Sequence, residues 1–229
     1  MAQPWQVIDK ADTDEGLLEL RQRGEKDFLI LIDDRVLMNS YANRSEIVLS
    51  ELACQAISGR KNPRVLMGGL GMAFTLKAAL DNLSDHATVT VAELNPVVVD
   101  WCRGPLAALT GKAVADPRVT VEIADVATVI AQAARQGGKA GFDAIILDLY
   151  EGPSESSRTR GEYEHLYGAA ALALSSAALK PGGVFAVWSE DPDKAFEQRL
   201  SRAHFSFDQQ RPGRGGRRHV VYIARKSGG

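Results

Sequence analysis

A chain of 229 residues with 45% hydrophobic content has enough apolar mass for one α/β domain and a small addition. Its formal net charge of −2 makes no global case for nucleic acid or for an anionic membrane surface as partner. No apolar run approaches the roughly 18 residues that span a bilayer, and Met1-Ala2-Gln3-Pro4-Trp5 has no signal-peptide pattern. Cys54 and Cys102 lack C-x-x-C spacing, so reduced, buried thiols in a cytoplasmic protein are expected. His86, His165, His204 and His219 show no metal-ligand spacing, and no metal is expected.

Residues 1–40 read as a small antiparallel β-meander. Its apolar runs are Trp5–Ile8, Leu17–Arg21 and Phe28–Ile32, and Asp33-Asp34 before Arg35–Met38 signals a tight hairpin. Such a sheet is too thin to stand alone and must pack on the main domain or on a second copy. Residues 41–229 read as the main domain. Asn43 is expected to cap a helix to Ile57, with Glu46 reaching back as a capping box. Strand 64–67 leads to helix 72–82, and strand 87–92 leads to a helix opened by Asn95-Pro96. Strand 118–123 precedes a helix capped by Asp125, and strand 142–147 ends at Asp148. After a loop at 149–162, one long alanine-rich helix should run to Leu179, followed by a turn at Lys180–Gly183 and strand 184–188. Asp191-Pro192 starts a last helix, and strands 204–208 and 219–224 close the chain as an edge hairpin. The alternation predicts an α/β, Rossmann-like fold: a seven-stranded, mostly parallel sheet with a terminal antiparallel hairpin, behind the meander.

The organising stretch is Arg64–Leu76, in which a strand meets a glycine turn and then a helix. Gly68, Gly69 and Gly71 permit positive φ and close approach of a ligand, and the helix start offers unpaired N–H groups. Glu93 closes the next apolar run, about 20 residues on, where doubly wound sheets place a ribose-binding carboxylate. Phe74 is too large for the third glycine of a nicotinamide fingerprint, and no Gly-Lys-Ser/Thr completes a phosphate loop. Gly69-Leu70-Gly71-Met72-Ala73 instead fits the G-x-G-x-[GA] turn of S-adenosylmethionine (SAM) enzymes. The residues expected at the cofactor are therefore Gly69, Gly71, Met72, Ala73, Glu93, Leu94, Asp125, Val126 and Asp148. Asp125 can serve both as helix cap and as adenine ligand.

These motifs, in order, resemble the spermidine synthases, and in particular the short, divergent bacterial proteins of that group. The likeness covers about residues 28–190. The resemblance implies a meander that contributes to dimer contacts, hence a homodimer, and a small-molecule acceptor. It assigns ribose binding to Glu93, the adenine amino group to Asp125, and the base at the attacking amine to Asp148. Glu151 stands near the family's second aspartate, while Tyr150 and Tyr167 fall beside the acceptor. Two positions depart. Met72 replaces the aspartate that holds the amine of decarboxylated SAM, and Arg44 replaces a tyrosine of the amine site.

A buried ammonium needs a carboxylate partner, so these departures favour full SAM and methyl transfer to another small acceptor. Aminopropyl transfer from decarboxylated SAM to a diamine is the alternative, and a non-catalytic SAM-binding sensor or scaffold is the third. Arg211, Arg214, Arg217 and Arg218 lack interleaved aromatics and read as a solvated loop rather than a nucleic-acid site.

Overall fold

The computed structural model describes residues 3–137, 141–150, 152–153, 160–212 and 219–227, with backbone alone at 160–163. In front lies a four-stranded antiparallel sheet, β1 (Gln6–Thr13), β2 (Gly16–Arg23), β3 (Asp27–Ile32) and β4 (Arg35–Asn39), paired in sequence order. The Asp33-Asp34 hairpin forms as expected, both residues holding positive φ (45° and 61°) as a type I′ turn requires. The Asp33 carboxylate accepts the Leu17 N–H at 3.0 Å and ties the neighbouring turn to it.

The main sheet is built from β5 (Arg64–Gly68), β6 (Thr88–Glu93), β7 (Val119–Ile123), β8 (Phe142–Leu147), β9 (Leu179–Ser189), β10 (Phe205–Gln210) and β11 (Val220–Lys226). Their spatial order is β10-β11-β9-β8-β5-β6-β7. The five strands from β9 to β7 run parallel, while β11 is antiparallel to both β9 and β10. Period two is visible in what each strand buries. Val65, Met67, Ala144, Ile146, Val184 and Ala186 feed one core; Leu66, Ile145, Leu147, Phe185 and Val187 feed the other.

The first core also takes α1 (Arg44–Ala56), α2 (Phe74–Asn82) and α3 (Pro96–Arg103). Leu18, Leu20, Phe28, Ile30 and Ile32 of the front sheet belong to the same apolar cluster, so the two sheets share one interior. The second core is covered by α4 (Val126–Gln136), α5 (Arg160–Tyr167), α6 (Ala169–Ala178) and α7 (Lys194–Arg202). The front sheet is also pinned by the Trp101 indole N–H of α3, which donates to Asp9 of β1 at 2.8 Å.

Several local expectations change. Asn43 does sit at the α1 N-cap position but makes no side-chain cap, because its φ of −120° and ψ of 15° turn the amide toward Ser40. Glu46 accepts from the Ser45 hydroxyl at 2.7 Å instead of closing a capping box. Asn95 likewise leaves its helix uncapped and donates to Glu15 at 2.7 Å. Asp125 caps α4 as expected, accepting the Ala127 N–H at 2.9 Å.

The long helix to Leu179 is two helices, broken at Gly168, whose extended ψ of 167° lets it cap α6. A Cβ there would sit 2.6 Å from the Glu164 carbonyl oxygen. The turn at Lys180–Gly183 is a bulge inside β9, with Gly182 at φ +68° and a register shift opposite Phe142–Ala144. Its last helix opens at Asp193, which accepts the Phe196 N–H at 2.8 Å, and not at Asp191.

Candidate active site

The chain leaves β5 to build β6 and β7 on one side and returns to build β8 on the other. This reversal puts a crevice beyond the carboxyl ends of β5 and β8. Two glycines shape its floor. Gly69 holds φ +83°, and a Cβ on it would lie 2.8 Å from the Asp148 carbonyl oxygen. Gly71 holds φ +51° and faces the Met38 sulfur of β4, which a Cβ would meet at 2.8 Å. Ala73, the α2 N-cap, is left-handed without being glycine (φ 63°), so the turn carries backbone strain.

Links from β4, β6 and α3 hold this turn, beside the Ala73 N–H that donates to the Leu70 carbonyl within it at 2.8 Å. The Leu70 N–H donates to Glu93 Oε2 at 2.8 Å, and the Asn95 N–H donates to Glu93 Oε1 at 2.9 Å. The Met72 N–H donates to the Met38 thioether at 3.2 Å, and the Cys102 thiol donates to the Gly71 carbonyl at 3.2 Å. Glu93 therefore holds the turn in shape. Each carboxylate oxygen keeps acceptor capacity for a second donor such as a ribose hydroxyl. Burial pushes the Glu93 carboxyl up from its ordinary range, and the Asn95 and Leu70 N–H groups pull against that shift.

Asp148 follows the fully buried β8 and is itself half-buried. The Thr75 hydroxyl of α2 donates to its Oδ2, fixing the carboxylate over the glycine turn. Burial, assisted by repulsion from Glu46, pushes its carboxyl up to about 7, against the pull of Thr75. An acid poised there can accept or release a proton near neutral pH.

The next two strand ends supply the other wall. Leu94 after β6 and Ile123 at the end of β7 are large apolar side chains left 49% and 53% exposed. Asp125, between β7 and α4, is half-buried, with its Oδ1 engaged by the helix cap. Apolar faces beside a carboxylate suit a flat heteroaromatic ring with an exocyclic amine. Val126 and Ala73 are buried, so their side chains line the floor from beneath.

The remaining expected residues divide. Met72 is fully buried in the first core, so only its backbone can face a ligand. Tyr167 is 2% exposed, with its ring edge-on to Phe196 at 5.9 Å in the second core. Arg44 is exposed at the first position of α1, and Tyr150 is 44% exposed just after Asp148. Glu151, and Arg214, Arg217 and Arg218 of the arginine-rich turn, lie outside the described residues.

Residues that the sequence did not single out also meet here. Met38 had no signal beyond lying in a hairpin strand. The Ser45 hydroxyl contacts His219 Nδ1 at 3.2 Å, and the His219 ring is edge-on to Trp188 at 5.0 Å. Three elements distant in sequence converge in that contact, and nothing in their local spacing reveals it.

Among the described residues no His/Cys/Asp/Glu group could hold a metal ion, and no helix is long and apolar enough to cross a membrane. A glycine turn, the buried Glu93 carboxylate and Asp148 thus lie together at the switch point of a mostly parallel sheet of Rossmann-like fold. The chain belongs to the spermine/spermidine synthase domain family, whose model matches residues 58–202. Curated polyamine aminopropyltransferases of Mycobacterium tuberculosis and Mycobacterium bovis are 33% identical to it over 154 residues. That match takes in 66% of this chain but 27% of those relatives, so the chain spans about a quarter of their length.

Solved structures agree on the fold. A spermidine synthase in complex with the transition-state analogue AdoDATO superposes with TM-score 0.71 at 21% identity, over 98% of this chain and 73% of that one. Spermidine synthase from Thermotoga maritima gives TM-score 0.69 at 22% identity, over 98% and 74%. Human methyltransferase-like protein 13 with SAH gives 0.58 at 17% identity, over 80% of each chain.

Proposed function

We propose that this chain transfers an aminopropyl group from decarboxylated SAM to a small amine. The observation that carries the reading is Asp148: a carboxyl raised to about 7, fixed by Thr75 beside the glycine turn. A protonated amine is no nucleophile, and a base of that strength can remove its proton at neutral pH. The amine nitrogen then attacks the methylene next to the donor sulfonium. The new C–N bond forms as the C–S bond breaks, its electron pair goes to sulfur, and methylthioadenosine leaves. Glu93 would take the ribose hydroxyls, with Asp125 at the adenine amino group and Leu94 and Ile123 on its faces. Glu93 and the acids near the acceptor also suit a cationic donor and a cationic acceptor.

Family membership and the curated relatives support aminopropyl transfer over the methyl transfer favoured by the sequence reading. One observation keeps methyl transfer as a second reading. The buried Met72 stands where the family's donor-amine carboxylate is expected, so the ammonium of decarboxylated SAM would lack that partner there.

Calorimetry separates the two. Tighter binding of decarboxylated SAM than of SAM, with amine-dependent release of methylthioadenosine, supports the proposal. Tighter binding of SAM, with release of S-adenosylhomocysteine, overturns it.

A further inference from the structure

Strand order lays the site out in a row. Asp148 follows β8, the glycine turn follows β5, and Glu93 ends β6, and these strands are neighbours in that order. A donor whose ribose lies at Glu93 and whose reacting carbon faces Asp148 must pass its arm over the turn between them. The side chain standing over that turn is Met38, which comes from the front sheet.

Met38 is aimed there by its strand. It pairs opposite Ile30 of β3, a buried residue of the first core. One step away the register between β3 and β4 shifts, leaving Leu37 as the extra residue of a bulge, a device that re-aims neighbouring side chains. The Met38 sulfur then accepts the Met72 N–H at 3.2 Å. Gly71 makes the room, because a Cβ there would lie 2.8 Å from the sulfur and 3.3 Å from the Cε methyl.

The other N–H groups of the turn have stronger partners. The Gly69 N–H donates to the Ala92 carbonyl at 3.0 Å, the Leu70 N–H to Glu93 at 2.8 Å, and the Ala73 N–H to the Leu70 carbonyl at 2.8 Å. Those three meet oxygen, whereas Met72 meets a thioether, a weak acceptor. A ligand oxygen could therefore take the Met72 N–H with a gain in hydrogen bonding, were the thioether not covering it.

Resting on the transfer reading above, we propose that Met38 is the donor-selecting residue of the site. Its thioether withholds the Met72 N–H from a carboxylate on the donor arm. SAM carries such a carboxylate and decarboxylated SAM does not. Under Met38 a carboxylate loses its water without gaining that N–H, and it lies between the carboxyl groups of Glu93 and Asp148. An arm that ends in an ammonium alone needs no N–H donor, and the same two groups attract it.

Calorimetry on the whole chain tests this with SAM, decarboxylated SAM and methylthioadenosine, which shares the adenosine but lacks the charged arm. Met38→Ala uncovers the Met72 N–H and should lower the preference for decarboxylated SAM over SAM about fivefold, with methylthioadenosine affinity changed less than about twofold. Met38→Glu places a carboxylate over the turn and should raise the same preference about fivefold. A residue that only steadies the turn would weaken all three ligands together. An unchanged preference, shifts of the same sign in both variants, or losses shared by methylthioadenosine overturn the proposal. Should Met38→Ala not fold, the sign of the Met38→Glu shift decides alone. A wild-type chain that binds these ligands but transfers nothing to an amine overturns the functional reading instead, and the shifts in preference are read in either case.

Discussion

Glu93 Oε2 and the Leu70 N–H, 2.8 Å apart, join the end of β6 to the glycine turn after β5. The same carboxylate that the proposed function gives to ribose therefore also holds the glycine turn in place. Removing it leaves the Leu70 and Asn95 N–H groups without their acceptor. Glu93→Ala should cost about 1–3 kcal/mol of stability and weaken methylthioadenosine binding at least tenfold, measured by urea denaturation and calorimetry.

Asp148 gives a pH dependence of stability. An unfolded aspartate releases its proton near 3.8, whereas this one in the folded chain holds it to about 7. Between those values the folded state binds the extra proton. The contribution is complete below the unfolded value and is lost as the pH rises through the folded one. Asp148→Asn cannot ionise, so it should match the wild type near pH 4 and exceed it near pH 8 by on the order of 1–3 kcal/mol. Denaturation at the two pH values checks this, and transfer activity should fall in the same variant.

Gly69 and Gly71 both hold positive φ but face different neighbours. A methyl at Gly69 meets the Asp148 backbone carbonyl, and one at Gly71 meets the tip of the Met38 side chain, each at 2.8 Å. Backbone cannot retreat as a thioether can. Gly71→Ala should cost about 1 kcal/mol, mostly from the left-handed conformation, and Gly69→Ala about 2–4 kcal/mol. Equal losses in thermal denaturation would contradict this ordering.

Asp143 lies near the start of the buried β8, 2% exposed. It accepts from Lys180 at 2.6 Å and from the Arg64 N–H at 2.8 Å. Lys180 is 24% exposed, so water takes up part of its lost contact, while the Arg64 N–H loses its acceptor. Asp143→Ala should therefore cost about 1–3 kcal/mol in a denaturant titration.

The thiols are predicted to be inert while the chain is folded. Burial raises Cys54 to about 11 and Cys102 to about 12, the latter with help from Glu93. A thiol reagent at pH 8 should label neither in native protein and both in denaturant, as read by mass spectrometry.

Sequence reasoning succeeded where a residue type is dictated by backbone geometry or by strand periodicity. Gly69 and Gly71, the Asp33-Asp34 hairpin and the alternating Val65-Leu66-Met67 all belong to that kind. Caps were less legible, because Asn43, Asn95, Asp125 and Asp193 are all plausible caps, and tertiary partners such as Glu15 decide which side chain is free to act. The break at Gly168 was hidden by an alanine-rich run that suits one helix or two. Least legible were contacts between distant elements. Met38 over Gly71 and His219 on Ser45 depend on how the layers meet, and no local pattern encodes that.

The front sheet sends Leu18, Leu20, Phe28, Ile30 and Ile32 into the same interior as the helices, and Met38 onto the glycine turn. Trimming the chain to start near residue 41 would thus strip off more than an accessory. It would bare a greasy face and uncover the glycine turn together, and such a fragment should come out of cells as insoluble material rather than as a smaller folded protein.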